Sequence, residues 1–403
     1  MRAVVVGTGK IGCGYLAPLF ADAGWEVVLA ARTAGTANRI HQAGGFRVRV
    51  TGEGGGSHHV TGVGAVVAGT EEFDRAVAGA DVVATAVGVD NVVDLGPVLA
   101  RALAGRGPAD PVDVWVVENQ DRAGDLQRAV QGAAAASGLE LPPVGFAGAV
   151  AAVAVGRGDW RGPGRPEFVG DGARRLSVDR TNLCRPLPCL PGVRGTSQYL
   201  PRLREKLYVF NTGHALCAYL GALRRHVSVD SAVADPALRP LVVGCLLESR
   251  KALLRSHPSL GDDVHGPVAE ALARYGDTEL ADPVARVARD PLRKLAPGDR
   301  LLGPAEQTRA VLGRVPAHFA LGIAGALLYR NPADAQACRL AELLGRQGVA
   351  STLESVCGLD PAGDLAQAVA HRYRGFILTS EGAVFPPVHG TGPAPAPESG
   401  GGT

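Results

Sequence analysis

Short runs of β-branched and small apolar residues alternate with amphipathic stretches over the first 150 residues. The runs predict strands, and the stretches between them, with apolar residues at helical spacing, predict helices. Strands are expected at 3–6, 26–30, 46–50, 60–68, 81–87, 112–117 and 144–147, and helices at 15–23, 71–78, 91–103 and 126–136. This alternation is typical of the α/β class with a mostly parallel, doubly wound sheet.

The pattern changes in the second half of the chain. Residues 156–195 are rich in Gly, Pro and Arg and are interpreted as a crossover with one short strand at 175–178. Helical spacing then predominates, most clearly at 203–223, 231–257 and 317–328. We therefore expect an α/β domain with its crossover over 1–195, a mainly helical domain over 196–385, and a disordered tail over 386–403, where Pro, Gly and Ser dominate.

Composition narrows the class of protein. Hydrophobic residues make up 46% and charged residues 20% of the 403 positions, which excludes disorder over most of the length. A net charge of +2 gives no reason to expect nucleic acid or an anionic membrane as the main partner. The seven scattered cysteines form no CxxC pair, so we expect no zinc cluster and a reducing cytoplasm. The sequence predicts neither a signal peptide nor a membrane span.

The first predicted strand runs directly into a GxGxxG motif. Gly7, Gly9 and Gly12 carry it, with Lys10 and Ile11 between the last two, and a predicted helix follows. The first glycine permits a tight turn, the second lets backbone approach a pyrophosphate, and the third allows close packing of helix and strand. The helix N-terminus favours the phosphate charge. These five residues are therefore predicted to bind a dinucleotide.

The end of the second predicted strand bears on which dinucleotide is bound. NAD sites usually place Asp or Glu there to hold the ribose 2′-hydroxyl, whereas this chain has Ala31, followed by Arg32 and Thr33. Arginine suits a 2′-phosphate through paired hydrogen bonds, which favours NADP over NAD. The alternative is that Arg32 is a solvated loop residue and that either cofactor is accepted.

Two further strand ends are expected at the same edge of the sheet, where such folds bind ligands. One carries Thr85, Ala86 and Val87, and the other carries Glu118 and Asn119. All five residues are predicted to lie at the cofactor.

Lysine is rare in this chain. Only Lys10, Lys206, Lys251 and Lys294 occur among 41 basic residues, the others being arginine. Arginine cannot lose its proton in a protein but a buried lysine can, so a surviving lysine is a candidate general base. Lys251 lies in the helical pattern ESRKALL and is interpreted as a solvated surface residue.

Over residues 1–345 the chain resembles the mannitol-1-phosphate 5-dehydrogenase family of polyol-specific long-chain dehydrogenases. The likeness rests on GTGKIGCGYLAPLFADAG in the glycine region with TAVG from Thr85, on VENQDRA from Val117, on REKLYVFNTGHALCAYLG from Arg204, and on VARVARDPLRKLAPGDRLLGP from Val284. The resemblance implies a Rossmann domain, a helical C-terminal domain, an active site in the cleft, and metal-independent hydride transfer between a ketose phosphate and a polyol phosphate.

The resemblance also implies the catalytic residues. The Lys-x4-Asn-x2-His signature falls on Lys206, Asn211 and His214, and the family's strand-end asparagine falls on Asn119. Oxidation of an alcohol requires a proton acceptor, which Lys206 can be only if its pKa falls from about 10.4 towards neutrality. Asn119 and Asn211 can donate amide hydrogens to the developing alkoxide. His214 is expected to orient the substrate or polarise its carbonyl, and its alternative is a core histidine.

A second charged cluster follows in the C-terminal block. The resemblance suggests that Arg293, Lys294 and Arg300 support the substrate phosphate, with Asp299 fixing an arginine rotamer. Arginine and lysine together can hold a dianion. The alternative is a structural cluster of ion pairs beneath the cleft.

This chain departs from the family pattern at several positions, so the resemblance indicates the type of reaction more firmly than the identity of the substrate. The family usually has an Asp-Arg-Ile-Val-Pro-like stretch where this chain has AAVAVGR at 151–157, and Asp277-Thr278 replaces an expected Asn-Pro pair. A different phosphorylated sugar or a nucleoside-like alcohol, an epimerase with tightly held cofactor, and a silent dinucleotide-binding regulator remain alternatives. The expected partner is a small sugar-phosphate-like substrate, and the expected assembly is a monomer or small homo-oligomer.

Overall fold

The computed structural model describes residues 1–51, 55–158, 160 and 166–388. They form two units. The first comprises Met1–Phe210, His257–Asp263 and Ala269–Asp282, and the second comprises Asn211–Ser256, Val264–Val268 and the chain from Pro283. From residue 389 onward the predicted tail lies outside the described residues. Within the described ranges, no helix has the length and apolar character needed to cross a membrane.

Fourteen strands are described. They are β1 (Arg2–Val6), β2 (Glu26–Ala31), β3 (Gly45–Val50), β4 (Ser57–Thr61), β5 (Gly64–Val67), β6 (Val82–Thr85), β7 (Val112–Val116), β8 (Val144–Ala151), β9 (Val155–Arg157), β10 (Glu167–Gly170), β11 (Leu176–Asp179), β12 (Val193–Thr196), β13 (Ile377–Thr379) and β14 (Gly382–Val384).

The main sheet has eight strands in the order β12-β11-β8-β7-β6-β1-β2-β5. Pairing is parallel from β5 to β8, β11 is antiparallel to β8, and β12 is parallel to β11. The central strands are buried on both faces, as their runs of valine and alanine require. The predicted doubly wound, mostly parallel sheet is confirmed.

A second sheet of four strands, in the order β4-β3-β10-β9, was not predicted. The run 60–68, expected as one strand, is two strands that belong to different sheets. Gly62 separates them with a φ of +70°, a left-handed conformation that glycine adopts without steric cost. Phe46 on β3 and Phe168 on β10 of this sheet form an aromatic cluster with Trp160.

Sixteen α-helices are described. They are α1 (Ala17–Ala21), α2 (Ala34–Ala43), α3 (Glu71–Ala78), α4 (Gly96–Ala104), α5 (Ala123–Ala136), α6 (Tyr199–Glu205), α7 (Thr212–Leu223), α8 (Val229–Ala234), α9 (Arg239–Ser256), α10 (Gly266–Tyr275), α11 (Val284–Val287), α12 (Pro291–Lys294), α13 (Leu302–Leu312), α14 (Ala317–Leu328), α15 (Ala335–Cys357) and α16 (Asp364–Gly375). π-Helical turns at Gly12–Leu16 and Lys206–Asn211 precede α1 and α7. The mainly helical C-terminal part is thereby confirmed.

The second unit is built around α14. Ten of its twelve residues are small or aliphatic, the exceptions being His318 and Phe319, and most of the helix is fully buried. Glycines allow α7 to approach it closely, since a Cβ added at Gly322 would lie 1.9 Å from the Leu216 side chain and one at Gly325 would lie 2.6 Å from that of Leu220. Cys217 and Tyr219 on α7 are buried.

Candidate functional site

The glycine motif forms a tight turn between β1 and the first helix. Gly7 has a φ of +119°, and a Cβ there would lie 2.3 Å from the Ala86 carbonyl oxygen. A Cβ at Gly12 would lie 1.9 Å from the Gly7 carbonyl oxygen. At Gly9, in contrast, no described atom lies within 4 Å of the added Cβ. The first and third glycines are therefore required by the fold, and the second leaves open space above the backbone.

This geometry fits a dinucleotide. The open side of Gly9 lies at the start of a helix, where Cys13 N–H donates to the Gly9 carbonyl at 2.8 Å. Backbone N–H groups at a helix start attract phosphate, and a residue without Cβ lets the phosphate come close. Gly7, Gly9 and Gly12 thus have the local geometry that their predicted roles require.

The two residues between the glycines face the protein. Ile11 is partly buried and packs against a hydrophobic core cluster that includes residues of both sheets. The Lys10 ammonium donates to the Gly156 carbonyl oxygen, which ties the turn to the segment after β8. The Trp160 indole N–H, not singled out from the sequence, makes a second tie by donating to the Thr8 carbonyl at 2.9 Å. No local pattern marks Trp160, because its partner is 152 residues away.

The end of β2 presents the predicted selectivity residues. Ala31 is buried, and Arg32 and Thr33 are exposed. The Thr33 hydroxyl caps α2 by accepting from Thr36 N–H at 3.3 Å. Thr33 therefore has a structural role, while the Arg32 side chain lies in solvent beside the start of α2.

The ends of β6 and β7 are joined by a buried carboxylate. Glu118 Oε1 accepts hydrogen bonds from Val87 N–H at 2.9 Å and from Gly88 N–H at 3.2 Å. Glu118 is 6% exposed, and Thr85 is fully buried. Burial raises the pKa of Glu118 to about 7, against the opposing effects of these two N–H donors and of the Lys206 ammonium.

Lys206 and Asn119, two of the predicted catalytic residues, are in direct contact. The Lys206 ammonium donates to Asn119 Oδ1 at 3.1 Å. Lys206 opens the π-helical turn that continues α6, so the helix is widened at this residue. With its oxygen engaged, the Asn119 carboxamide retains two N–H donors for a ligand.

Asn211 and His214 belong to the second unit. Asn211 ends the π-helical turn and His214 lies in the first turn of α7, where both are partly buried. Gly213, which lies between them, is a buried residue within α7. The helical chain therefore continues from Lys206 through His214, with the π turn altering the simple α-helical spacing between them.

Arg293, Lys294 and Arg300 form a network around buried groups. Asp299 pairs with Arg293 at 3.3 Å and with Arg300 at 2.8 Å. The Lys294 ammonium donates to the Val287 carbonyl at 2.8 Å and to that of Arg289. The Arg293 side chain is 34% exposed, compared with 13% for Arg300, so Arg293 is the most accessible of the three.

The buried Lys294 predicts a pH dependence of stability. Burial lowers its pKa to about 7, with Arg300 and Arg293 adding to the effect. Because the unfolded lysine keeps its usual value near 10.5, the unfolded chain binds more protons at this position between these values. Its contribution therefore makes the free energy of unfolding rise with pH from about 7 to about 10.

Urea unfolding over that range tests this prediction. Lys294→Met should remove the rise, while Lys251→Met, at an exposed lysine of α9, should keep it. An unchanged slope in the Lys294 variant would show that this lysine is charged in the folded protein.

The family comparisons cover most of the chain. A family model for the mannitol dehydrogenase Rossmann domain matches residues 1–141, and one for the mannitol dehydrogenase C-terminal domain matches residues 200–376. A mannitol-1-phosphate 5-dehydrogenase of Geobacillus thermodenitrificans is 31% identical over 389 residues, spanning 93% of this chain and 98% of the relative. One of Pseudarthrobacter chlorophenolicus is 32% identical over 374 residues, spanning 92% and 96%.

Solved structures show the same fold at low identity. Mannitol 2-dehydrogenase of Pseudomonas fluorescens, in a ternary complex with NAD and D-mannitol, is 15% identical with a TM-score of 0.72, over 93% of this chain and 91% of that one. A D-sorbitol dehydrogenase in substrate-free form, also 15% identical, has a TM-score of 0.69 over 92% of each chain.

Proposed function

The chain belongs to the mannitol dehydrogenase family, and on that premise we propose that it interconverts a polyol phosphate and a ketose phosphate with NAD(P) as the hydride carrier. The observation that carries this proposal is the Lys206–Asn119 pair at the end of β7. Both of the curated relatives described above are mannitol-1-phosphate 5-dehydrogenases. Mannitol 1-phosphate and fructose 6-phosphate are therefore the first substrate pair to test.

The proposed chemistry assigns the proton to Lys206. In alcohol oxidation, neutral Lys206 Nζ removes the hydroxyl proton while the hydride leaves the carbon that bears this hydroxyl group. When bound, the nicotinamide accepts that hydride, or supplies it in the reverse direction. In ketone reduction, the Lys206 ammonium returns the proton to the oxygen.

The amides and the histidine are proposed to hold the reacting oxygen. Asn119 donates an N–H to the developing alkoxide while its oxygen stays on Lys206. Asn211 and His214 follow Lys206 along the helical chain and are proposed to donate to the same oxygen or to its neighbour. The glycine turn, Arg32 and the 85–87 strand end are proposed to hold the dinucleotide.

The phosphate end of the substrate is assigned to the charged network of the second unit. Arg293 is proposed to contact the phosphate, since it is the most accessible cation there. Lys294 and Arg300 would support it by holding the loop carbonyls and Asp299 in place.

The first experiment follows the absorbance of NADPH or NADH when the protein is mixed with fructose 6-phosphate or with fructose. We expect rapid oxidation of the reduced cofactor with the phosphorylated sugar and none with fructose. Protein that binds cofactor but oxidises it with neither sugar would reject this substrate pair and favour another phosphorylated sugar or an epimerase.

NADP is proposed as the preferred cofactor because β2 ends without a carboxylate and Arg32 is exposed beside it. Arg32→Ala should raise KM for NADPH about tenfold or more and leave KM for NADH nearly unchanged, since only NADPH carries the 2′-phosphate. Steady-state kinetics with both cofactors measures this. Arg194→Ala is the control, at an exposed arginine on the edge strand β12. Equal rises for both cofactors would reject the 2′-phosphate role.

A further inference from the structure

Glu118 is a buried carboxyl group that the proposed proton transfer does not use. It lies two residues after the end of β7 and directly precedes Asn119, the partner of Lys206. A carboxylate is costly to bury unless hydrogen bonds or an opposite charge compensate it. Glu118 has both kinds of compensation, in the N–H groups of Val87 and Gly88 and in the Lys206 ammonium.

The backbone that Glu118 holds is part of the dinucleotide cradle. Val87 and Gly88 follow Ala86, whose carbonyl oxygen occupies the space where a Gly7 Cβ would lie. Gly88 has a φ of +96°, so the chain turns sharply at this point. One carboxylate oxygen therefore fixes the turn that packs against the glycine motif.

The same carboxylate interacts electrostatically with the proposed general base. Lys206 is the cation that lowers the pKa of Glu118. The Tyr199 phenol at the start of α6 also faces this group, and its pKa is raised by burial and then by Asp121, Asp179 and Glu118. Among the described groups that take part in these interactions, Lys206 is the only cation, and Glu118, Asp121 and Asp179 are carboxyl groups.

We propose that Glu118 is a positioning residue for the dehydrogenase reaction, with two separable roles: its oxygen holds the 86–88 turn against the cofactor cradle, and its charge sets the proton affinity of Lys206. This inference rests on the proposed function of Lys206. Coupling between two sites is reciprocal, so the free energy by which Lys206 favours ionised Glu118 equals that by which ionised Glu118 favours protonated Lys206.

Two substitutions separate these roles. Glu118→Gln keeps an amide oxygen that can accept from both N–H groups but removes the charge. Glu118→Ala removes the acceptor and the charge. Glu140→Gln is the control, at an exposed glutamate of the same unit.

The pH profile of kcat/KM for alcohol oxidation should distinguish the variants. In Glu118→Gln the apparent pKa of the base should fall by about one unit, because an opposite charge beside Lys206 has been lost. KM for the dinucleotide should stay within about twofold of the parent value, since the turn is still held. Glu118→Ala should show the same shift and a KM about tenfold higher. A Glu118→Gln profile that matches the parent would overturn the charge role.

A readout without turnover separates this inference from the proposed function. Infrared difference titration of the cofactor-free protein should show a protonated carboxyl band that is absent in Glu118→Gln. In Lys206→Met, where Glu118 is intact, the midpoint of that band should move to higher pH. A midpoint that does not move would overturn the coupling. Protein with the shifted midpoint but no activity on any polyol phosphate would retain the coupling and reject the proposed function.

Discussion

Replacement of Lys206 by alanine is expected to lower the turnover number by about 100-fold or more, the scale of a lost general base. Dinucleotide affinity should change little, because the glycine turn does not involve this side chain. The loss should appear in both kcat and kcat/KM, since the proton is transferred only as the hydride moves.

Replacement of Lys206 by arginine tests proton transfer more specifically than replacement by alanine. Lys206→Arg keeps a cation that can donate to Asn119 but cannot release its proton, so turnover should stay as low as in the alanine variant. Lys251→Ala, at an exposed lysine of α9, should behave like the parent. Parent-like turnover in Lys206→Arg would remove Lys206 from proton transfer and leave it an electrostatic role only.

The architecture of the main sheet follows from local sequence. Strands β1, β2, β6 and β7 are short apolar runs bounded by glycine, polar or helical segments, and each lies within a residue or two of its predicted position. Local pattern does not specify which sheet a strand joins. The run at 46–50 is indeed a strand, but it pairs with β4 and β10 in the second sheet. The pairing with β10 joins residues more than 100 positions apart, and the spacing of apolar residues along the chain carries no information about it.

In the candidate site, too, local features could be predicted from the sequence and long-range contacts could not. The steric roles of Gly7 and Gly12 could be predicted, because the turn is local and a Cβ at either position would collide with backbone atoms. The widening at Lys206–Asn211 could not, since a π turn differs from an α-helix by a single inserted residue. The bonds from Glu118 to the 87–88 turn span about 30 residues and depend on β6 lying beside β7. The hydrogen bond from the Lys10 ammonium to the Gly156 carbonyl joins residues 146 positions apart and could not be predicted from local sequence, while the predicted place of Lys10 at the cofactor stays a prediction.

A second large effect is expected in the glycine motif. Alanine at Gly9 should weaken dinucleotide binding, whereas alanine at Gly12 should destabilise the fold. An alanine Cβ at Gly9 meets no described atom within 4 Å, so the folded chain accommodates it. The methyl group would instead occupy the space that a pyrophosphate needs. Gly9→Ala should therefore leave the free energy of unfolding within about 0.5 kcal/mol of the parent and weaken dinucleotide binding about tenfold or more.

Gly12→Ala should show the converse in the cofactor-free protein. Its Cβ would lie 1.9 Å from the Gly7 carbonyl oxygen, which is backbone held between β1 and the 86–88 turn and cannot move aside cheaply. The free energy of unfolding should fall by about 3 kcal/mol, the upper part of the range for an overpacked site. Denaturant unfolding without cofactor and calorimetric titration with NADPH measure the two quantities separately. Equal loss of stability in both variants would mean that the open side of Gly9 is needed for folding, and the assignment of that space to the dinucleotide phosphates would fall.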